Sequence, residues 1–156
     1  MSFYFEDFAA GQSFLTQGRT ITEADVVGFA GWSWDTNPVH TDAELAESGR
    51  FGQRIAHGLL GLSVGMGLAS TLGVFESCSI ALLGVDGWRF HRPIFIGDTV
   101  RCRVEILSTR LTSKEDSGIL ARRLTLVNQH DETVQQGEIG LMVSVRPDTK
   151  VSTGEV

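Results

Sequence analysis

The chain has 156 residues, of which 42% are hydrophobic and 21% charged, so it has the size and composition of one soluble globular domain with a real core. Its net charge of −6 argues against general nucleic-acid binding, because that function requires a basic face. Cys78 and Cys102 lack metal-ligand spacing and are expected to be reduced core residues. No signal peptide is recognisable at the N-terminus, and we expect a cytoplasmic protein.

The first part of the chain reads as a strand followed by helices. Residues 14–20 predict the strand. Thr22 is a candidate N-cap, with Glu23 and Asp25 in the first turn, and the apolar spacing that follows predicts a helix into Trp34.

A loop interrupts the helical pattern over residues 35–41, because Pro38 disfavours helical geometry at Asn37. Asp42 is expected to cap a short helix that ends near Gly49. Residues 50–57 read as loop again.

Residues 58–74 form an uncharged run that contains five glycines. The run is at the short limit of about 17–25 residues for a membrane span, so a buried core helix is the better interpretation. Glycine inside a helix costs about 1 kcal/mol relative to alanine. The glycines therefore indicate that something approaches this helix closely, whether strands, a second subunit or a ligand.

The second half of the chain has the period of β-strands. Strand regions are predicted at residues 80–85 and 88–90, 100–106, 119–127 and 139–145, with polar turns at 113–117 and 128–132. A helix that is apolar on every side must be enclosed, and a curved antiparallel sheet wrapped around it is the simplest enclosure. The sequence thus predicts one α+β domain over residues 1–146, with a polar, flexible tail over 147–156.

Two short motifs offer the parts of one reaction. Asp35 and His40 lie five positions apart, and a carboxylate and an imidazole can transfer protons near neutral pH. His57-Gly58 opens the apolar helix, whose first N–H groups lack internal acceptors and could stabilise an oxyanion. For an arbitrary pair at this spacing, a turn cap and a loop histidine would be the simpler interpretation. The Asn-Pro between them and the His-Gly downstream favour catalysis.

These residues resemble a known family. Residues 35–42 (DTNPVHTD), followed by Phe51, Ile55 and His57-Gly58, look like the hydratase signature of the MaoC-like dehydratases, which include the R-specific enoyl-CoA hydratases. Residues 89–100 (RFHRPIFIGDTV) are similar to a second recurring stretch of that family. The resemblance covers about residues 5–146.

The resemblance implies a hotdog fold, in which an antiparallel sheet wraps a long central helix. It implies a homodimer with an acyl-CoA tunnel near the subunit interface; assembly beyond a dimer stays open. The implied activity interconverts trans-2-enoyl-CoA and (R)-3-hydroxyacyl-CoA. Asp35 and His40 would activate one water, and the Gly58 N–H would hold the thioester oxyanion. No metal or redox cofactor is expected, and coenzyme A enters as part of the substrate, with acyl-carrier protein as a possible variant carrier.

Four further residues are candidates for substrate binding or for support of the catalytic groups. Asn37 is expected to bond the loop backbone through its side-chain amide. His57 is expected either to bond the catalytic loop or to orient the turn before the helix, rather than to transfer a proton. Some relatives have a serine that lines the acyl pocket where this chain has Met66; Ser63 lies one helical turn earlier. The change affects the expected chain length of the substrate more than the reaction. Six arginines are candidates for contacts with CoA phosphates: Arg50, Arg54, Arg89, Arg92, Arg101 and Arg103.

Two other functions stay open at this point. A thioesterase is one, because that activity also occurs on hotdog folds and a fold does not define a function. The spacing of Asp35 and His40 argues against it. A non-catalytic acyl-CoA-binding module is the other.

Overall fold

An antiparallel sheet forms the framework of the molecule. The structure is a computed structural model that describes residues 3–147. Its six strands are β1 Ser13–Leu15, β2 Arg19–Thr20, β3 Ser79–Phe90, β4 Thr99–Leu111, β5 Ser117–Val127 and β6 Thr133–Ser144. The order across the sheet is β1-β4-β5-β6-β3, and β2 pairs with β4 beside β1. The strand regions predicted for the second half of the chain are confirmed, with longer bounds.

Among residues 3–147, four α-helices lie between β2 and β3 in the chain: α1 Glu23–Ser33, α2 Pro38–Thr41, α3 Ala43–Ser48 and α4 Gly58–Ser70. A short 3-10 helix, Phe5–Asp7, precedes β1. The predicted caps are present. The Thr22 hydroxyl accepts the N–H of Asp25 at 3.3 Å, and the Asp42 carboxylate accepts the N–H of Leu45 at 3.0 Å. These oxygens satisfy N–H groups that have no acceptor within their helices.

The structure differs from the sequence prediction in two short regions. Residues 14–20 form two strands rather than one, because the Thr16 hydroxyl accepts the N–H of Cys102 at 2.9 Å and takes the place of a ladder bond. The predicted loop over 35–41 contains the short helix α2, with Asn37 as its N-cap and Pro38 at its first position. Proline restricts the residue before it but suits the first turn of a helix.

The glycines of α4 allow the sheet to approach the helix closely. A Cβ at Gly65 would lie 2.5 Å from Cδ1 of Leu126 on β5, and one at Gly61 would overlap the amide of Gln135 on β6. Strands therefore account for the close approach at these two positions. Helix α4 ends at Ser70, earlier than predicted, and Gly73 follows with a positive φ of 72°.

The apolar core lies between α4 and the concave face of the sheet, and it includes both cysteines as buried free thiols. The predicted α+β fold is confirmed, but within one chain the sheet encloses only one side of α4. Leu59, Ser63, Gly67 and Ser70 remain exposed on the other side, as does nearly all of the edge strand β3.

Among residues 3–147, no helix is long and apolar enough to cross a bilayer. The tail predicted for 147–156 lies, apart from Pro147, outside the described residues.

The contact at Gly65 generates a stability prediction with a control on another helix. Gly65→Ala should lower the free energy of unfolding by about 1–3 kcal/mol, because overpacking forces neighbours out of place. The control is Gly28→Ala in the interior of α1, where a Cβ would meet nothing within 4 Å among the described residues; it should raise the free energy of unfolding by about 0.5–1 kcal/mol. Urea unfolding at one protein concentration measures both. Equal effects of the two variants would contradict close packing at Gly65.

Candidate active site

The loop after α1 presents Asp35. Trp34 ends α1 with a positive φ of 63°, so the chain turns sharply before the acid. Asn37 then accepts the N–H of Val39 at 3.2 Å through its side-chain oxygen, which begins the short helix that carries His40. Asp35 is exposed and His40 is half-buried.

One ring nitrogen of His40 is engaged by the backbone. Its Nδ1 lies 2.7 Å from the carbonyl oxygen of Ile55. A carbonyl can only accept, so Nδ1 carries the hydrogen. In the neutral imidazole, Nε2 then has the lone pair and can accept a proton.

His57 joins the two motifs. It is 2% exposed, and its Nε2 donates to the backbone carbonyl of Asp35 at 2.9 Å. Its ring stacks on that of His40, with centroids 3.8 Å apart, and Phe29 covers it at 4.9 Å. The Nδ1 of His57 is buried and has no partner among the described residues. The histidine therefore holds the acid-bearing loop against the start of α4.

The carboxylate of Asp35 and the imidazoles of His40 and His57 offer one ligand atom each within 4.8 Å of one another. Such a set raises the possibility of a metal ion. However, imidazole lone pairs lie in the ring plane, and these two rings are stacked at an interplanar angle of 27°. The lone pairs of stacked rings do not converge on one ion. The arrangement of Asp35, His40 and His57 is therefore better suited to proton transfer to and from a water molecule than to metal coordination.

A cavity of about 440 Å³ opens beside His40. Gly58, the first residue of α4, borders it, and Phe90 packs so closely on Gly58 that a Cβ there would lie 2.8 Å from its ring. The remaining lining is mostly apolar, with two arginines at the rim. It comprises Arg50, Phe51, Ile55, Ala56, His91, Arg92, Pro93, Ile94 and Gln135.

The structure therefore brings Asp35, His40 and His57 together and puts Gly58 on the same cavity as His40. Ser63 and Met66 lie elsewhere. Ser63 donates to the carbonyl of Leu59 at 2.9 Å, and Met66 lines a second cavity farther along α4. Of the six candidate arginines, Arg50 and Arg92 line the first cavity.

Sequence reasoning did not identify Gln135. Its side chain is buried, its amide nitrogen donates to the carbonyl of Gly58 at 3.1 Å, and its amide oxygen accepts from the Trp88 indole at 3.1 Å. Gln135 thus anchors the first turn of α4 to the sheet. In the sequence, the signal that could have identified Gln135 is its place in β6 between Val134 and Gly137, which are both buried.

The family model described as "MaoC like domain" matches residues 7–128. The chain belongs to the MaoC-like dehydratase family, as its motifs predicted.

Two curated relatives show the extent of the match. An (R)-specific enoyl-CoA hydratase from Rhodospirillum rubrum is 35% identical over 143 residues, which are 92% of this chain and 93% of the relative. A protein named MaoC from Klebsiella aerogenes is 41% identical over 101 residues, but these are 65% of this chain and only 30% of that longer protein.

Solved structures agree on the fold. A protein described as a monoamine oxidase regulatory protein from Archaeoglobus superposes with a TM-score of 0.87 at 34% identity, covering 94% of this chain and 97% of that one. A Mycobacterium tuberculosis protein described as a double hotdog fold gives a TM-score of 0.85 at 27% identity, covering 96% of this chain and 46% of that one. The predicted hotdog fold is confirmed.

The hydrogen bonds of the two histidines predict their tautomers. Nitrogen-15 NMR at a pH where both rings are neutral should show the hydrogen on Nδ1 of His40 and on Nε2 of His57, because each nitrogen donates to a carbonyl. The exposed His91, whose ring forms no hydrogen bond with residues 3–147, serves as the control and should show the tautomer mixture of a solvated ring. A hydrogen on Nε2 of neutral His40 would contradict its role as proton acceptor.

Proposed function

We propose that the chain hydrates trans-2-enoyl-CoA to (R)-3-hydroxyacyl-CoA and catalyses the reverse dehydration. Membership of the dehydratase family and the hydratase relative of matching length support an enzyme of this class. The observation that carries the residue assignment is the 4.8 Å cluster of Asp35, His40 and His57 beside a cavity that Gly58 borders.

Asp35 and His40 transfer the protons. In hydration, the oxygen of one water bonds to the β-carbon, and the proton it loses is taken up by this pair. A proton then goes from the pair to the α-carbon, so that water is added across the double bond and the pair is regenerated. The lone pair on Nε2 of neutral His40 and the exposed carboxylate of Asp35 are the available acceptors. Because the addition is redox-neutral, we propose that it needs no redox cofactor. The Asp35–His40 pair and the Gly58 N–H would supply the proton transfer and the charge stabilisation that a metal ion could otherwise provide.

Gly58 stabilises the charge that develops on the thioester. Attack on the β-carbon moves an electron pair toward the thioester oxygen. The Gly58 N–H is at the first position of α4, where it has no intrahelical acceptor and lies at the positive end of the helix dipole. In other enzymes the loss of one such donor costs about 3 kcal/mol of transition-state stabilisation.

A crotonyl-CoA assay that follows enoyl absorbance and free thiol together distinguishes this function from the thioesterase. Hydration removes the absorbance without releasing thiol. Thiol release matching the loss of thioester would establish the thioesterase instead. Ligand-dependent thermal stabilisation without turnover on any chain length would establish a binding module.

The same assay tests the proton-transfer pair. Asp35→Asn and His40→Gln should each lower kcat/KM by about 100-fold or more, because they remove a group that exchanges protons in the transition state. The matched controls are Asp42→Asn, which keeps a good N-cap, and His130→Gln on an exposed turn. Both should keep the wild-type rate. Near-normal rates for the two active-site variants on the best substrate would refute the assignment.

We further propose that the protein is a homodimer built through β3. This strand is a long sheet edge with unpaired backbone groups, and its apolar side chains Ile80, Leu82, Leu83 and Val85 are about half exposed. Such an edge normally pairs or aggregates. A two-fold axis beside it would join two copies into one continuous sheet and cover the open side of α4.

Leu83→Asp should therefore convert the dimer to a monomer, because a charge on an apolar edge cannot be buried without a partner. Leu111→Asp is the control; Leu83 and Leu111 are similarly exposed, at 47% and 43%, but Leu111 lies at the end of β4. Sedimentation velocity measures both. A wild-type protein that sediments at the monomer mass of 17.0 kDa would refute the dimer.

A further inference from the structure

An arginine occupies a core position on β5. Leu120, Arg122, Leu124 and Leu126 alternate along the strand, so all four side chains lie on the face that packs toward α4. The three leucines are fully buried, and Arg122 is only 2% exposed. A charged side chain that is buried on an apolar face is costly unless it has a counter-ion or hydrogen-bond partners.

Arg122 lacks a counter-ion within residues 3–147. Its Nε donates to the carbonyl of Ile139 at 3.3 Å, and its guanidinium lies 4.8 Å from the centroid of the Phe75 ring. The Nη2 group has no hydrogen-bond partner among the described residues. No carboxylate in this part of the chain forms an ion pair with it.

The nearby thiols do not supply the missing charge. Burial lowers the pKa of Arg122 to about 10, so the guanidinium is still protonated at neutral pH. Burial also raises the pKa of Cys78, and it raises that of Cys102 to about 12. Both thiols therefore stay neutral, and within residues 3–147 the buried guanidinium has no anionic partner.

Arg122 lines a cavity that the proposed reaction does not use. The cavity has a volume of about 290 Å³ and lies between the C-terminal half of α4 and the first residues of β3. Its walls are mainly apolar, with Met66, Phe75 and Leu82 among them, and Ser70 and Ser79 also line it. It thus combines an apolar wall with a buried cation, as a site for an amphiphilic anion would.

One face of α4 runs from the end that borders the first cavity to the end that borders this one. Leu59, Leu62, Met66 and Ser70 follow each other at intervals of three and four residues, so they share a face, and none of them is buried. From Gly58 to Met66 the helix rises about 12 Å. An extended acyl chain whose thioester lies at Gly58 would therefore run along this face toward Arg122.

We propose that Arg122 binds a carboxylate at the far end of the acyl chain, so that the preferred substrates are ω-carboxylated enoyl thioesters. This inference rests on the proposed function, since it takes the thioester to lie at Gly58. The guanidinium pairs well with a carboxylate, and the carboxylate would supply the buried cation with its missing counter-ion.

Binding and turnover, measured separately, test the proposal. Calorimetry compares saturated decanedioyl-CoA and dodecanedioyl-CoA with decanoyl-CoA and dodecanoyl-CoA, which cannot react. The full-length wild-type protein should bind the carboxylated member of at least one pair about tenfold or more tightly, as expected for a charged hydrogen bond. The corresponding trans-2-enoyl thioesters should show the same ratio in kcat/KM for hydration.

Arg122→Met should abolish this preference while keeping hydration of the uncharged chains, since methionine suits an apolar core. The matched control is Arg123→Met on the opposite, solvent-facing side of β5, which should keep the wild-type preference. Circular dichroism establishes that each variant is folded. If Arg122→Met does not fold, Arg122→Lys takes its place, because lysine keeps the charge but not the bidentate guanidinium geometry. This variant should bind the carboxylated chains more weakly than wild type.

The outcomes separate the two proposals. Hydration without any preference for the carboxylated chains would refute the role of Arg122 and leave the hydratase intact. Preferential binding of those chains without hydration of any enoyl thioester would support the carboxylate site and refute the hydratase. A preference that Arg122→Met or Arg122→Lys leaves unchanged would also refute the role of Arg122.

Discussion

The close approach of α4 to the sheet is the contact on which the rest of the structure depends. Gly61 and Gly65 have no side chains to hold the strands away, so Gln135 and Leu126 press directly on the helix. Gln135 then hydrogen-bonds the carbonyl of Gly58, which positions the first turn of α4. Larger residues at these positions would move the helix outward and displace Gly58, which borders the cavity.

The candidate active site is assembled from two loops that are distant in sequence. His57 lies at the start of α4 and donates to the carbonyl of Asp35, while His40 donates to the carbonyl of Ile55. Each histidine thus bonds the backbone of the opposite loop, and their rings stack. This reciprocal arrangement orients the carboxylate and the free imidazole nitrogen without using either group, which leaves both available for a water.

The open side of the molecule is as informative as the core. The edge strand β3 and one face of α4 are apolar and exposed in a single chain. The proposed thioester site at Gly58 and the cavity that Arg122 lines lie at the two ends of α4. A partner subunit at this edge would cover the route from Gly58 to Arg122 and exclude water from it. Dimerisation and substrate binding would then depend on the same surface.

Much of the architecture could be predicted from local sequence because local physics determines it. The caps at Thr22 and Asp42, the alternation of β4 and the uncharged Gly-rich helix each follow from residues close together in the chain. The motif around Asp35 and His40 likewise identified the family and the proposed chemistry. Short segments were predicted less well: Pro38 begins a helix where a loop was expected, because its restriction acts on Asn37 rather than on itself.

What the sequence by itself determined was the fold class and the types of chemical group available. Only the tertiary structure decided which groups meet. The contact of His57 with Asp35 joins residues 22 positions apart, and that of Gln135 with Gly58 joins residues 77 apart. Neither spacing leaves a local pattern. Arg122 shows the same limit. Its place among leucines predicts burial, but the cavity beside it is formed by four elements, α4, β3, β5 and β6, that come together only in the folded chain.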